Sequence, residues 1–392
     1  MISPHINDTQ RRARLAWRHG LATPCAPGPD AVAADLVALH ATDAATVYLS
    51  TAARLATPTV TDLEDALYTR RSLLRMLGMR RTMFVVPTST APTIHAAATR
   101  AVATEQRRLL IKHLHQYGAG TAEWLDTLLT DTLTALHARG GAATATQLST
   151  DVPRLRTTLD LPQGSQYITS RVLLLLAAEG RIVRGRPNGT WTSTQYTWHL
   201  LDGWLPGPLP DLDPSAARAA LAHAWLARYG PGTIADLKWW TGWTLTHTRA
   251  ALAALDTVTV TLDGGGTGIV LADDVDDVPT PPPWVALLPA LDPTVMGWAG
   301  RDWYLGPHAP ALFDRTGNPG PTIWADGHII GGWAHTDRVL VEFLPPQPPS
   351  RVQATVHQHA DRLTDWIGDI RVTPRFRTPL ERRLTETVTP NG

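Results

Sequence analysis

Between Thr233 and Leu271 the hydrophobic period switches once, from helical to alternating, and that switch limits the folds open to this chain. Thr233 is placed to cap a short helix through Trp240, Thr241-Gly242 makes a turn, and Thr244 caps a second helix. In that helix Leu245, Thr248, Leu252 and Leu255 recur at helical spacing. After Asp256, Val258, Val260 and Leu262 alternate with Thr, Gly264-Gly265-Gly266 turns the chain, and Gly268-Ile269-Val270-Leu271 returns, a hairpin written in strand residues. Two helices and a hairpin wing form a layout suited to nucleic acid.

The plan recurs. From Thr121 to Trp198 the sequence predicts helices over Glu123–Arg139, Thr144–Thr150 and Tyr167–Glu179. A hairpin follows, running out along Arg181–Arg186, turning at Pro187-Asn188-Gly189 and returning along Thr190–Tyr196. A third copy is expected in Asp8–Pro87, with helices near Thr9–His19, Asp30–His40, Ala44–Leu55 and Asp62–Leu74 and a strand at Arg81–Val86. Beyond Trp284 strands are expected at Asp302–Leu305, Ile323-Trp324, Gly327–Trp333, Arg338–Phe343 and Ile370–Val372, with a helix at Arg351–Trp366. The expected fold class is α+β: three tandem winged-helix domains and a C-terminal β-rich α/β part. The expected bounds are 1–120, 121–205, 206–283 and 284–392.

The 392 residues, 43% of them hydrophobic, suffice for several small cores. No apolar run reaches the length of a membrane span, the N-terminus lacks the order of a signal peptide, and the lone Cys25 can form no internal disulfide. A reducing cytoplasm, at the bacterial nucleoid, is expected. Net charge is zero, but residues 1–200 carry 21 Lys or Arg against 14 Asp or Glu and residues 201–392 carry 14 against 21, so a phosphate-facing surface belongs in the first half. Three basic clusters lie there: Arg70, Arg71, Arg75, Arg80 and Arg81; Arg100, Arg107, Arg108 and Lys112; and Arg181, Arg184 and Arg186. Alternation puts Arg184 and Arg186 on one face of the second hairpin beside Asn188. The candidate DNA contacts are therefore Arg75, Arg80, Arg81, Arg181, Arg184, Arg186 and Asn188. Arg375 and Arg377 reach phosphate or dock the terminus.

Chemistry is sought in the strip Leu39–Ser50, where His40, Thr42 and Asp43 fall at the end of one predicted helix and the start of the next. An imidazole, a hydroxyl and a carboxylate this close can hold and polarise a water. From spacing alone the simpler account is that Thr42 or Asp43 caps the following helix and His40 covers a core edge. Trp239 and Trp240 read as packing, the Asp273–Asp277 run before Pro279 as a solvated linker, and His113-x-His115 lacks the partner set of a metal site, so neither metal nor cofactor is expected.

Six stretches carry a further resemblance: His40-Ala41-Thr42-Asp43 with Val47-Tyr48-Leu49; Arg75–Thr82; Asp236–Gly242; Leu288–Pro293; Asp302–Gly306; and Asp326–Trp333. Together they resemble the winged-helix DNA glycosylases related to AlkZ and YcaQ. The resemblance implies three winged helices in a C-shaped arrangement around duplex DNA, and excision of bulky or cross-linking N7-alkylguanine and related alkylpurines. The family's catalytic motif is Gln-x-Gln or Gln-x-Asp, and His40 and Thr42 stand at those positions here. N7-alkylation makes the base a good leaving group, so His40 and Thr42 would orient a water, with Asp43 supporting the developing sugar cation. A monomer acting on damaged double-stranded DNA is expected. The alternative is a tandem winged-helix DNA-binding protein without catalysis, a regulator or lesion sensor, for which dimerisation on a palindrome is expected.

Overall fold

The computed structural model describes residues 4–161 and 164–386, a mixed α+β chain of many short helices and several small sheets. The chain divides into two units, one of residues 1–64 and 219–392 and one of residues 65–218. The first is therefore built from both ends of the chain.

In the two-ended unit the local signals around residue 240 act as read. Thr233 and Asp236 form a capping box, Gly242 adopts φ +76 to end helix Ile234–Thr241, and Thr244 caps helix Leu245–Ala253. The hairpin Thr257–Leu262 with Thr267–Leu271 follows, and His5–Ile6 adds to it in parallel, pairing with Thr261 and Leu262. The later sheet is antiparallel throughout, in the order Val285–Leu288, Thr322–Ala325, His328–His335, Val339–Phe343. Helix Ser350–Ile367 packs on its two outer strands. Large aromatic rings make the core: Trp225 stacks on Tyr229 at 5.9 Å, Tyr229 meets Trp298 edge-on at 5.3 Å, and Trp303, Tyr304 and Trp324 extend the same run of packed rings. One expectation changes within that stack: Asp302–Leu305 is a helical turn, with Trp303, Tyr304 and Leu305 all buried in it.

Three more expectations change here. Helix Pro29–Asp35 stops short of His40, which lies instead in a two-residue strand, Leu39–His40, after a turn with Val37 at φ +62. Ile370–Val372 forms no strand, since the Val372 amide donates to His335 Nδ1 at 3.2 Å. The acidic run is not simply solvated: Arg14 and Arg18 both donate to Asp274, and Arg14 also reaches the Val275 and Asp276 carbonyls.

In the 65–218 unit, helices Arg100–Gln116, Ala122–Ala138, Ala145–Asp151 and Thr169–Ala178 enclose a leucine core that includes Leu114, Leu125, Leu128, Leu148, Leu155 and Leu175. The second helix of the predicted repeat begins with a capping box, Thr144 with Gln147. Its hairpin differs from expectation. Ile182–Pro187 pairs with Tyr196–Leu200, and residues 188–195 are a loop, because Trp191 turns inward to 5% exposure instead of joining an exposed return strand. Three strands were not foreseen: Ala142–Thr144, which pairs with Tyr196–Leu200, and Thr158–Leu161 with Gly164–Tyr167, which pair with each other. Leu73–Leu77 is likewise a strand, paired with Met83–Pro87, and not the end of a helix. No helix among the described residues is long and apolar enough to cross a membrane.

Candidate functional site

The strip is set by the helix that follows it. Ala44–Ala52 is buried from Ala44 through Thr51, so its N-terminus cannot be satisfied by water, and Asp43 caps it by accepting the Ala45 amide at 3.1 Å. The other Asp43 oxygen accepts the Arg375 amide at 2.9 Å, which fastens the segment after Val372 to the strip. Burial pushes the Asp43 carboxyl above its usual range, and the two amides and the Arg375 charge oppose that push. His40 is 5% exposed, while Thr42 and Asp43 are half-buried. Asp43 is thus both helix cap and latch, and the half-buried Thr42 lies between it and His40 in the chain.

Below the strip lies a buried ion pair. Arg54 meets Asp292 with both terminal nitrogens, at 3.0 and 2.8 Å, and its three remaining N–H groups reach His19 O, Ser50 O and Thr294 Oγ1 at 2.6 to 2.8 Å. Ser50 Oγ donates to the same carboxylate at 2.6 Å, and Thr46 Oγ1 donates to Ala290 O at 2.7 Å. Burial alone would raise the Asp292 carboxyl, but the Arg54 charge and hydrogen bonds, with Ser50 and the Thr294 amide, hold it below its usual range. His19 Nε2 donates to Arg228 O, so Nδ1 accepts from the Thr294 hydroxyl at 2.9 Å. Burial, reinforced by Arg54, pushes this imidazole down to about 3 and keeps it neutral. Leu288–Pro293 therefore has a physical role in the strip: it supplies the carboxylate and carbonyl that bolt Ala44–Ala52 in place.

The candidate DNA contacts lie in the other unit, and burial separates them. Arg75 is 3% exposed with its guanidinium 4.9 Å from the Tyr196 ring centre, so it is not placed at the surface as a phosphate contact would require. Arg184 is half-buried over Tyr196 and Trp198, and Arg186, exposed, lies over Tyr68 at 4.8 Å. Gly185 between them passes so close to His199 that a Cβ would fall 2.4 Å from its ring. Arg181 and Asn188 are exposed.

Arg80 and Arg81 form the tip of the Leu73–Pro87 hairpin, at φ +52 and +59, in a turn closed by the Thr82 amide on Met79 O. Both central residues of such a turn favour Asn-Gly, and a left-handed arginine is disfavoured by roughly 1 kcal/mol or more. In the helical cluster, Arg100 pairs with Asp211, Arg107 with Asp126 and Glu179, and Arg108 with Glu105, so those charges are already neutralised. Sequence reasoning passed over Arg171, which donates to His113 Nδ1 at 2.7 Å; the only hint was His113 itself, weighed as half of a metal pair. Among the described residues no three His, Cys, Asp or Glu side chains cluster to hold a metal ion.

The family described as DNA glycosylase AlkZ-like matches residues 33–366 of the chain. The fold is similar to that of the Streptomyces sahachiroi DNA glycosylase AlkZ, with a TM-score of 0.72 and 21% sequence identity over 95% of this chain and 99% of that one. Among curated proteins, none matches.

Proposed function

Because this chain belongs to the AlkZ-like DNA glycosylase family, we propose that it hydrolyses the N-glycosidic bond of N7-alkylated or cross-linked purines in double-stranded DNA. The observation that carries this reading is the bolting of the strip Leu39–Ser50 by the Arg54–Asp292 network, which holds the segment bearing His40 and Thr42 on a rigid base. Thr42 orients a water toward C1′ of the damaged nucleotide, and His40 takes its proton. The C1′–N9 bond breaks, and its electron pair stays with the base and cancels the positive charge that N7-alkylation placed there. Asp43, held by two backbone amides, keeps a negative charge near the developing sugar cation. No cofactor or metal enters this scheme.

Within the same reading the segments to 120, 121–205 and 206–283 are three winged helices and 284–392 a β-rich domain. A monomer working at the nucleoid meets DNA through Arg80, Arg81, Arg181, Arg184, Arg186 and Asn188. Arg75 serves from the interior, shaping the ring that Arg184 also faces. The burial of His40 favours one second reading, a DNA-binding protein without catalysis.

Single-turnover incubation with duplex containing N7-methylguanine, followed by alkali to reveal abasic sites, separates the two. Excision by the wild type is expected, slowed about 100-fold or more in His40→Ala and less in Thr42→Ala. His40→Gln, which restores the family residue, is expected to retain it. Tight binding with no breakage at any N7 lesion would establish the second reading.

A further inference from the structure

Among the arginines of the 65–218 unit, Arg171 has an unusual partner. Its guanidinium donates to an imidazole, His113 Nδ1, at 2.7 Å, where Arg107 and Arg108 on the same helix as His113 meet carboxylates. Lys112 is adjacent and exposed, and the Arg81 side chain at the hairpin tip is close enough for its charge to act on Arg171. Among the described residues none of Arg81, Lys112 and Arg171 makes an ion pair, and the charges of Arg81 and Lys112 act on the hydrogen-bonded Arg171–His113 pair.

Three local choices here run against stability. Arg81 sits in a left-handed turn position that favours glycine. Arg171 lies in the first turn of helix Thr169–Ala178, where the helix dipole disfavours a cation and favours an anion. That helix also starts at Ile168 with no side-chain acceptor for its free amides. Such conflicts gather where function holds them. A phosphate answers the two at the helix end, where its oxygens match the guanidinium fork and the open amides.

We infer that Arg81, Arg171 and the Lys112–His113 pair form a binding site for one phosphodiester of duplex DNA. The inference rests on the DNA-binding part of the function proposed above and not on its chemistry. In the free protein burial lowers Arg171 first and Arg81 lowers it further; burial, Arg171 and Lys112 likewise lower His113. His113 also faces the Tyr117 ring at 6.4 Å, and a bound phosphate would offset the mutual repulsion.

The test is binding of undamaged duplex, by fluorescence anisotropy, as a function of salt. Arg171→Gln and Arg81→Gln are each expected to shrink the log–log salt slope by about 1 and to weaken all sequences alike. Arg171→Lys is expected to keep the slope, and Arg108→Gln, whose charge is already paired, to match the wild type. Wild-type affinity and slope in folded Arg171→Gln would overturn the inference, as would displacement of duplex by inorganic phosphate at fixed ionic strength, which would assign the site to a free anion. A wild type that binds but does not excise leaves the phosphate site standing and removes the glycosylase reading. Failure to bind any duplex removes both.

Discussion

Arg54 and Arg171 are both drawn into hydrogen bonds with named partners, and the difference between those partners separates the two units. Arg54, 1% exposed, has each of its five N–H groups matched, two of them to the buried carboxylate of Asp292. Arg171 meets a neutral ring beside other cations. The pattern extends through the sequence. The 65–218 unit carries 17 Lys or Arg against 11 Asp or Glu, and the two-ended unit 18 against 24. In the two-ended unit the buried Arg54 and Arg14 are held by carboxylates and carbonyls; in the 65–218 unit, Arg71, Arg75, Arg184 and Arg186 lie over Trp or Tyr rings, as Arg11 does over Trp303, and a ring holds a guanidinium without cancelling its charge.

The strongest way to break that contrast is Asp292→Ala. It strands Arg54 in a dry interior, and a loss of about 3–5 kcal/mol is expected by denaturant unfolding, with loss of any activity that depends on the strip. A milder loss would mean that water enters the network. Acid sharpens the same point through His19. Its folded value, about 3, lies below the ordinary 6.5, so its contribution is complete above pH 6.5 and fades as pH falls toward 3, because the unfolded chain takes up the proton first. A fall of roughly 2 kcal/mol by pH 5 is expected from this group, absent in His19→Gln. The smallest effect belongs to the other unit. Arg71 lies 4.4 Å from the Trp204 ring centre and donates to Gly203 O at 2.9 Å, and Arg71→Ala is expected to lower stability by only about 1 kcal/mol in thermal melts. Equal losses from Asp292→Ala and Arg71→Ala would dissolve the comparison.

What sequence could show was decided by distance along the chain. Thr233, Gly242 and Thr244 act on neighbours within a few residues, and the two helices they bound are legible almost to the residue. The same holds for helix Ala122–Ala138 and for the Thr144 cap. His5–Ile6 pairs with residues some 256 positions away, and Arg54 meets Asp292 across 238, so neither partner leaves a local trace. Trp191 and Trp303 misled because both are β-prone residues that the structure buries outside any strand. For the strip, the motif pointed to His40, Thr42 and Asp43, but the latch from Arg375 and the carboxylate of Asp292 are visible only in three dimensions. Arg171 escaped notice because its isolated charge lies in an apolar helical run, while its neighbours Arg81 and Lys112 are far off in sequence.

The two-ended unit also sets an order of events during synthesis. Residues 65–218 hold a leucine core of their own and leave the ribosome before the partners of the strip do. Until Asp292 is translated Arg54 has no counter-ion, and until Arg375 follows Asp43 has only half its hydrogen bonds. A nascent chain can therefore complete the basic unit well before the strip that carries His40 is assembled.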